Sequence, residues 1–319
     1  MATDAVFCFA VLSAGRGKVA RAANDPLLGS DTLGIEITDA ALAARCELGN
    51  LDPQHGLHPL PGVAAIDLAL TLEPLPPLGA RLVTLRADAD ALGAFAVLAL
   101  RAQGCSFDEA AKERIEALSR LDRHDRGPWR AWAIQHPPLT RPTGSKALVE
   151  DEIPAMAMAL TARDDAVPLE NRIAAIADWL LTGHIPQWVA EIAVKRHQQL
   201  INAWNDGEIV VEPGSVGWIA LVRSSLSAGL QLGYRIAPVV IAETLLPAGR
   251  KLTIAQFEPG WFDCDALLRA LNQREDRWGG QANILGSPQG RPSSLSLEEA
   301  VELVTTYGGS LARDCPFTH

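Results

Sequence analysis

The 319-residue chain has no C-x-x-C pair. Its five cysteines, Cys8, Cys46, Cys105, Cys264 and Cys315, are scattered and odd in number. This excludes a disulfide framework and a structural zinc knuckle, and it points to a reducing compartment. Nowhere does the sequence hold the ~18 consecutive apolar residues that a membrane-spanning helix needs. The opening Met1-Ala-Thr-Asp4 has no positive charge, so the apolar stretch from Ala5 to Leu12 reads as a buried strand or helix, not a signal peptide. A cytoplasmic location is expected. Positive charge is in short supply, with 28 Lys and Arg against 38 Asp and Glu and a net charge of −10. No basic stripe is available to grip duplex DNA or an anionic membrane, so neither is expected as a partner. The sequence also lacks a G-x-S-x-G nucleophile elbow and a complete phosphate loop. Ala14-Gly-Arg-Gly-Lys18 has the wrong spacing for the latter and reads as a turn.

What is present suffices for a core, because 48% of the residues are apolar and 21% charged. The length suggests two domains. Arg81 to Leu85 has the composition of a buried strand, and Ala91 to Arg101 that of a helix. A strand leading through an acidic turn into a helix is a βα unit of a parallel sheet. Ser106-Phe-Asp-Glu109 reads as a capping box opening a helix to about Leu118, with a loop from about Asp122. Asn171 to Trp204 is helical, with a break near Gly183-His-Ile-Pro186. Val216 to Val222, Ala237 to Ala242 and Lys251 to Phe257 read as strands, Ser224 to Leu232 and Phe262 to Arg277 as helices. Ser296-Leu-Glu-Glu299 is a second capping box. The expected fold class is therefore α/β: a parallel-sheet N-terminal domain over residues 1–150 and a smaller α/β domain over 211–319.

The sharpest chemical signal is Arg86-Ala-Asp-Ala-Asp-Ala-Leu-Gly93. Two aspartates two residues apart at the carboxyl end of a strand point to the same side of an extended chain, on the sheet edge where open α/β folds bind ligands. A divalent cation would relieve the repulsion between the carboxylates and supply a Lewis acid. A solvated acidic turn capping the next helix is the competing reading. Asp122-Arg-His-Asp125 offers further ligands, with a charged post-helix loop as the alternative, and Asn50-Leu-Asp-Pro-Gln-His55-Gly-Leu-His58 offers Asp52 and His55, with a pair of surface histidines as the alternative. Four glycines between Gly279 and Gly290, with Asn283 and Ser287, offer backbone N–H groups for a phosphate or carboxylate; a simple connector is the alternative there. No cysteine has the local signature of a nucleophile.

Thr84 to Leu98 resembles the first motif of the DHH phosphoesterase superfamily, a strand ending in D-x-D among small residues and glycine. Val216 to Gly290 resembles the DHH-associated substrate domain of the same proteins, with Gly279-Gly280 as its Gly-Gly loop. Together the two stretches span about half the chain in the family's order, joined by a helical linker region at 151–210. The resemblance implies a metal-dependent phosphoesterase acting on a phosphodiester or nucleotide-like substrate in an interdomain cleft, with a divalent metal, commonly Mn²⁺. It makes Asp88 and Asp90 metal ligands and places Asp122 and His124 where the family has its Asp-His-His run. Asp90 and His124 are then the catalytic candidates; Asp88, Asp90, Asp122, His124 and His55 the metal candidates; Arg86, Gly279, Gly280, Asn283 and Ser287 the substrate-binding candidates. A small phosphorylated or nucleotide-like substrate is the expected partner, with a homodimer left open. Arg86 stands where the family's D-x-D usually follows a histidine. A guanidinium there suits an anion better than a cation, so the alternative is a catalytically divergent relative that binds a small anionic metabolite.

Overall fold

A computed structural model describes residues 6–12, 26–53, 60, 63–123, 153–225, 229–234, 236–247, 249–257, 259–281, 283–288 and 291–313. Of these, the residues up to Arg123 and from 153 to Val194 form one compact unit, and those from Lys195 onward form another.

In the first unit, four strands, β1 (Cys8–Val11), β2 (Thr32–Ile35), β3 (Asn50–Leu51) and β4 (Arg81–Thr84), form a sheet in the order β1-β4-β2-β3. Every pair is parallel, with Val11 and Ile35 both registered on Thr84. All four carboxyl ends therefore lie on one edge of the sheet. Side chains alternate across it as strand geometry requires. Leu33, Ile35 and Leu82 enter one apolar cluster, while Val83 enters another with Leu12, Ile37 and Leu42. The short helix α1 (Ala40–Ala43) closes the second face, and Asp39 caps it by accepting from the Ala41 and Leu42 N–H groups.

The other face carries α2 (Ala65–Thr71), α3 (Ala89–Ala102), α4 (Glu109–Arg123), α5 (Ile153–Ala162) and α6 (Leu169–Thr182). Every residue of α3 from Ala89 to Leu98 is buried. A helix apolar all round belongs in the interior, and α3 packs on α2, α4, α5 and α6. Gly93 makes this possible, because a Cβ there would lie 2.7 Å from Ile66 Cδ1 and 3.3 Å from Leu118 Cδ1. The cap of α4 is Asp108, whose carboxylate accepts from the Ala111 N–H, and not Ser106, which is exposed. Asp108 offers a full negative charge to the helix N-terminus and so outcompetes the hydroxyl two residues earlier. Instead of opening a loop, Asp122 lies in the last turn of α4. Gly183, in the left-handed region at φ 75°, ends α6. After it α7 (Gln187–Asn205) runs across the division between the units.

The second unit is built on a six-stranded sheet in the order β5-β6-β7-β8-β10-β9. Its strands are β5 (Ile209–Pro213), β6 (Ile219–Ser224), β7 (Val239–Leu246), β8 (Gly249–Gln256), β9 (Gly279–Gln281) and β10 (Ile284–Gly286). Only β6 and β7 pair in parallel. Val239 and Ile241 face one cluster beneath α9 (Cys264–Arg274) and α10 (Leu297–Thr306); Val240 and Ala242 face the other with Tyr234, just after α8 (Gly229–Gly233). The capping box at Ser296 and Glu299 forms as its spacing predicts. The chain ends its described course in α11 (Ser310–Arg313).

Ser224, expected to begin a helix, is the last residue of β6. The glycine-rich stretch from Gly279 is a β-hairpin, not an open loop, with Gly280 opposite Leu285. A Cβ on Gly280 would lie 2.0 Å from the Ile284 carbonyl oxygen. Here the glycine serves the close approach of two strands.

Candidate metal centre

Three carboxylates converge at the carboxyl edge of the parallel sheet. Glu36 directly follows β2, Asp90 stands in the first turn of α3 beyond β4, and Asp122 comes from the last turn of α4. One oxygen from each lies within 4.8 Å of the other two. Asp90 is fully buried, while Glu36 and Asp122 are half-buried. The sequence points to Asp90 and Asp122 but not to Glu36. It sits alone in Gly34-Ile-Glu-Ile37, and only the pairing of β2 beside β4 reveals it.

Each acid is placed by identifiable local chemistry. The two Asp90 oxygens accept from the Ala65 N–H at 2.7 Å and the Ile66 N–H at 2.8 Å, at the start of α2. A carboxylate satisfies two of the N–H groups that a helix start leaves without internal partners. Asp67 serves a third, on Ala64, and also accepts a 2.6 Å hydrogen bond from the buried Ser119 hydroxyl of α4. Thus α2 and α4 are tied together one helical turn before Asp122. Glu36 has φ +53°, in the left-handed region that only about one non-glycine residue in some tens adopts. The residue after it is clamped by Asn50, whose amide accepts from the Ile37 N–H and donates to the Ile37 carbonyl.

The electrostatics follow from burial and like charge. Burial pushes the Glu36 carboxyl well above the usual carboxylate range, reinforced by Asp90, Asp88 and Asp122 and opposed by Arg86. Burial likewise raises Asp90, with Asp122 adding to it, against the downward pull of the Ile66 and Ala65 N–H groups. Such a cluster needs protons or a cation to neutralise it. Each carboxylate oxygen has a second lone pair, so the hydrogen bonds of Asp90 leave it capacity to bind a cation. An all-oxygen donor set suits the hard divalent ions, Mg²⁺, Ca²⁺ and Mn²⁺.

The other candidates are placed as follows. Asp88 caps α3 by accepting from the Ala91 N–H at 3.2 Å and pairs with the exposed Arg86 guanidinium at 2.7 Å, outside the trio. Asp52 follows β3 on the same sheet edge. His55, His124 and Asp125 lie outside the described residues. In the second unit Gly279 and Gly280 form exposed β9, and Asn283 sits at the hairpin turn. The Asn283 Oδ1 is buried with no hydrogen-bond partner among the described residues. Ser287 is buried, and its hydroxyl accepts from the Leu252 N–H at 3.0 Å. Burial pushes the thiols of Cys46 and Cys264 up to about 11 and about 12, so neither supplies a thiolate nucleophile near neutral pH.

No protein-family model matches the chain, and no curated protein matches it. Among solved structures it is similar to PggH, a pGpG-specific phosphodiesterase from Vibrio cholerae. The two share 12% identity over 70% of this chain and 74% of that one, with a TM-score of 0.37.

Proposed function

We propose that the chain is a metal-dependent phosphoesterase acting on a small phosphodiester or nucleotide-like substrate, with Glu36, Asp90 and Asp122 as its metal ligands and Mn²⁺ as the preferred ion. The observation that carries this reading is the convergence of three carboxylates from three separate elements, two of them driven away from ionisation by burial and by one another. When bound, a divalent ion would acidify a water molecule and neutralise charge on the phosphate. The protein's own contribution is position. Asp90 is fixed by the start of α2, and Asp122 is carried by a helix that Ser119 and Asp67 bind to α2. Asp88 stiffens the turn after β4 and aims Arg86, whose exposed guanidinium is left to bind a phosphate oxygen. His124, two residues beyond Asp122 in sequence, is proposed as a further ligand and proton-transfer group, with His55 and Asp88 as additional ligands. Gly279, Gly280, Asn283 and Ser287 are proposed to orient the substrate.

The test is direct. With Mn²⁺ the purified chain should hydrolyse members of a panel of dinucleotides and phosphodiesters, a chelator should stop it, and Asp90→Ala should abolish it. No metal-dependent turnover on any substrate of the panel would sink the reading. One observation favours a second reading, a binder of small anionic metabolites: Arg86 places an exposed positive charge beside the acids. Metal analysis of the purified chain separates them, because an anion binder would carry no stoichiometric metal and would gain thermal stability from phosphate compounds alone.

A further inference from the structure

Resting on the metal reading above, we infer that Asn50 is a positioning residue for Glu36, acting through the backbone of Ile37. The β2–β3 ladder pairs Gly34 with Asn50 and Ile35 with Leu51, and the Glu36 N–H donates to the Leu51 carbonyl at 3.0 Å. Regular extension would then carry the chain straight on and alternate Glu36 toward a sheet face. Instead Glu36 turns into the left-handed region at φ +53°. The Asn50 side chain lies across this corner, accepting from the Ile37 N–H at 3.2 Å and donating to the Ile37 carbonyl at 3.0 Å. A primary amide offers one acceptor and two donors on a flat group, and here it takes the place of a strand partner, of which Ile37 has none among the described residues.

Two further residues complete the arrangement. Gly34 makes room for the amide, because a Cβ there would lie 2.6 Å from Asn50 Oδ1. Ile37 is fully buried in the cluster with Leu12, Leu42 and Val83, which anchors the far side of the corner. A non-glycine residue in a sparsely populated conformation persists only where its surroundings enforce it, and such residues gather at functional sites. The enforced residue is one of the three converging acids. Asn50 touches neither substrate nor ion. It sets the direction of the Glu36 side chain, so removing it should cost metal affinity through geometry.

The experiment measures Mn²⁺ affinity by calorimetry, and thermal stability by circular dichroism without metal, on the full chain. Four variants are compared with wild type: Asn50→Ala, Glu36→Gln, the double variant, and Val240→Ala as a destabilised control in the other unit. Asn50→Ala should weaken Mn²⁺ binding about 10- to 100-fold, the range seen when outer partners of metal ligands are removed. Val240→Ala should lower the melting temperature and leave the affinity unchanged. On the Glu36→Gln background Asn50→Ala should weaken binding no further, since its effect passes through that carboxylate. Wild-type affinity in a folded Asn50→Ala chain, or additive losses in the double variant, overturns the assignment while leaving the metal reading intact. If Asn50→Ala does not fold, Asn50→Asp, which keeps the acceptor for the Ile37 N–H and loses the donor, replaces it with the same expectation and the same overturning result. No binding by the wild-type chain overturns the metal reading, and this assignment with it.

Discussion

At Asp90 two demands meet in one side chain. Its oxygens complete the start of α2, and its charge lies beside Glu36 and Asp122. Asp90→Asn keeps the shape, but its amide must turn one N–H donor toward a backbone N–H. A loss of stability of about 1–3 kcal/mol is expected from the unsatisfied pair, together with loss of Mn²⁺ binding, both readable by metal titration and denaturant unfolding. The raised carboxyls of Glu36 and Asp90 also fix a pH dependence. Both groups hold their protons more tightly folded than unfolded, so the metal-free chain should lose stability as pH rises from their ordinary values of 4.5 and 3.8 through the raised ones. Below those ordinary values this penalty vanishes. Saturating Mn²⁺ should flatten the dependence by replacing the protons, and melting temperatures between pH 4 and 8 with and without metal would show it. A metal-free chain as stable at pH 7 as at pH 5 would contradict the crowding of these acids.

The elements show what local sequence can and cannot reveal. Strand β4 and helix α3 were legible because an apolar run, an acidic turn and an Ala- and Leu-rich segment are all local signals. Asp122 is legible as a candidate ligand, but its place in the last turn of α4 is not, since nothing in the residues around it marks where the helix stops. Strands β2 and β3 and the short helix α2 escaped notice. Strand β2 has Gly34 in the middle of its short apolar run and β3 has only two residues, so neither carries a strand pattern, and α2 takes its N-terminal partner from Asp90, 25 residues onward. Glu36 was missed for the same reason, since no local rule says which strand lies beside β4. In sequence the hairpin β9–β10 looks like a loop because glycine marks turns and close strand contacts alike. Among the helices Gly93 has the clearest consequence. Gly93→Val would press a branched side chain into Ile66 and Leu118, and a destabilisation of about 2–3 kcal/mol is expected from overpacking. Because α2 and α4 both carry site residues, Mn²⁺ affinity should fall in the same variant, which calorimetry would register.

Across the whole molecule the two units should answer acid with opposite signs. In the second unit Glu275 is buried and accepts from the Trp278 indole N–H, the Ser293 hydroxyl, and the Ser294 N–H and hydroxyl. Burial pushes its carboxyl up, but these four donors outweigh it and hold the group below its ordinary 4.5. Its contribution is therefore present above that value and is lost as pH falls through the depressed one. Without metal, acidification should raise the transition of the first unit relative to that of the second. Tryptophans lie in both cores, Trp179 in the first and Trp218, Trp261 and Trp278 in the second, so hydrogen exchange read peptide by peptide is the measurement that separates the two transitions. Glu275→Gln should blunt the acid response of the second unit and leave the first unaffected.

The burial of α3 along ten successive residues bears on solvent exchange. Amides open to deuterium through local or global unfolding, and the most enclosed segments open last. Backbone N–H groups of α3 should be the slowest to exchange, whereas the corner at Glu36 and the final turn of α4 should exchange sooner. An ion joining Glu36 and Asp122 to Asp90 would fasten two quick regions to the slowest one, so adding Mn²⁺ should spread protection outward from α3 along both.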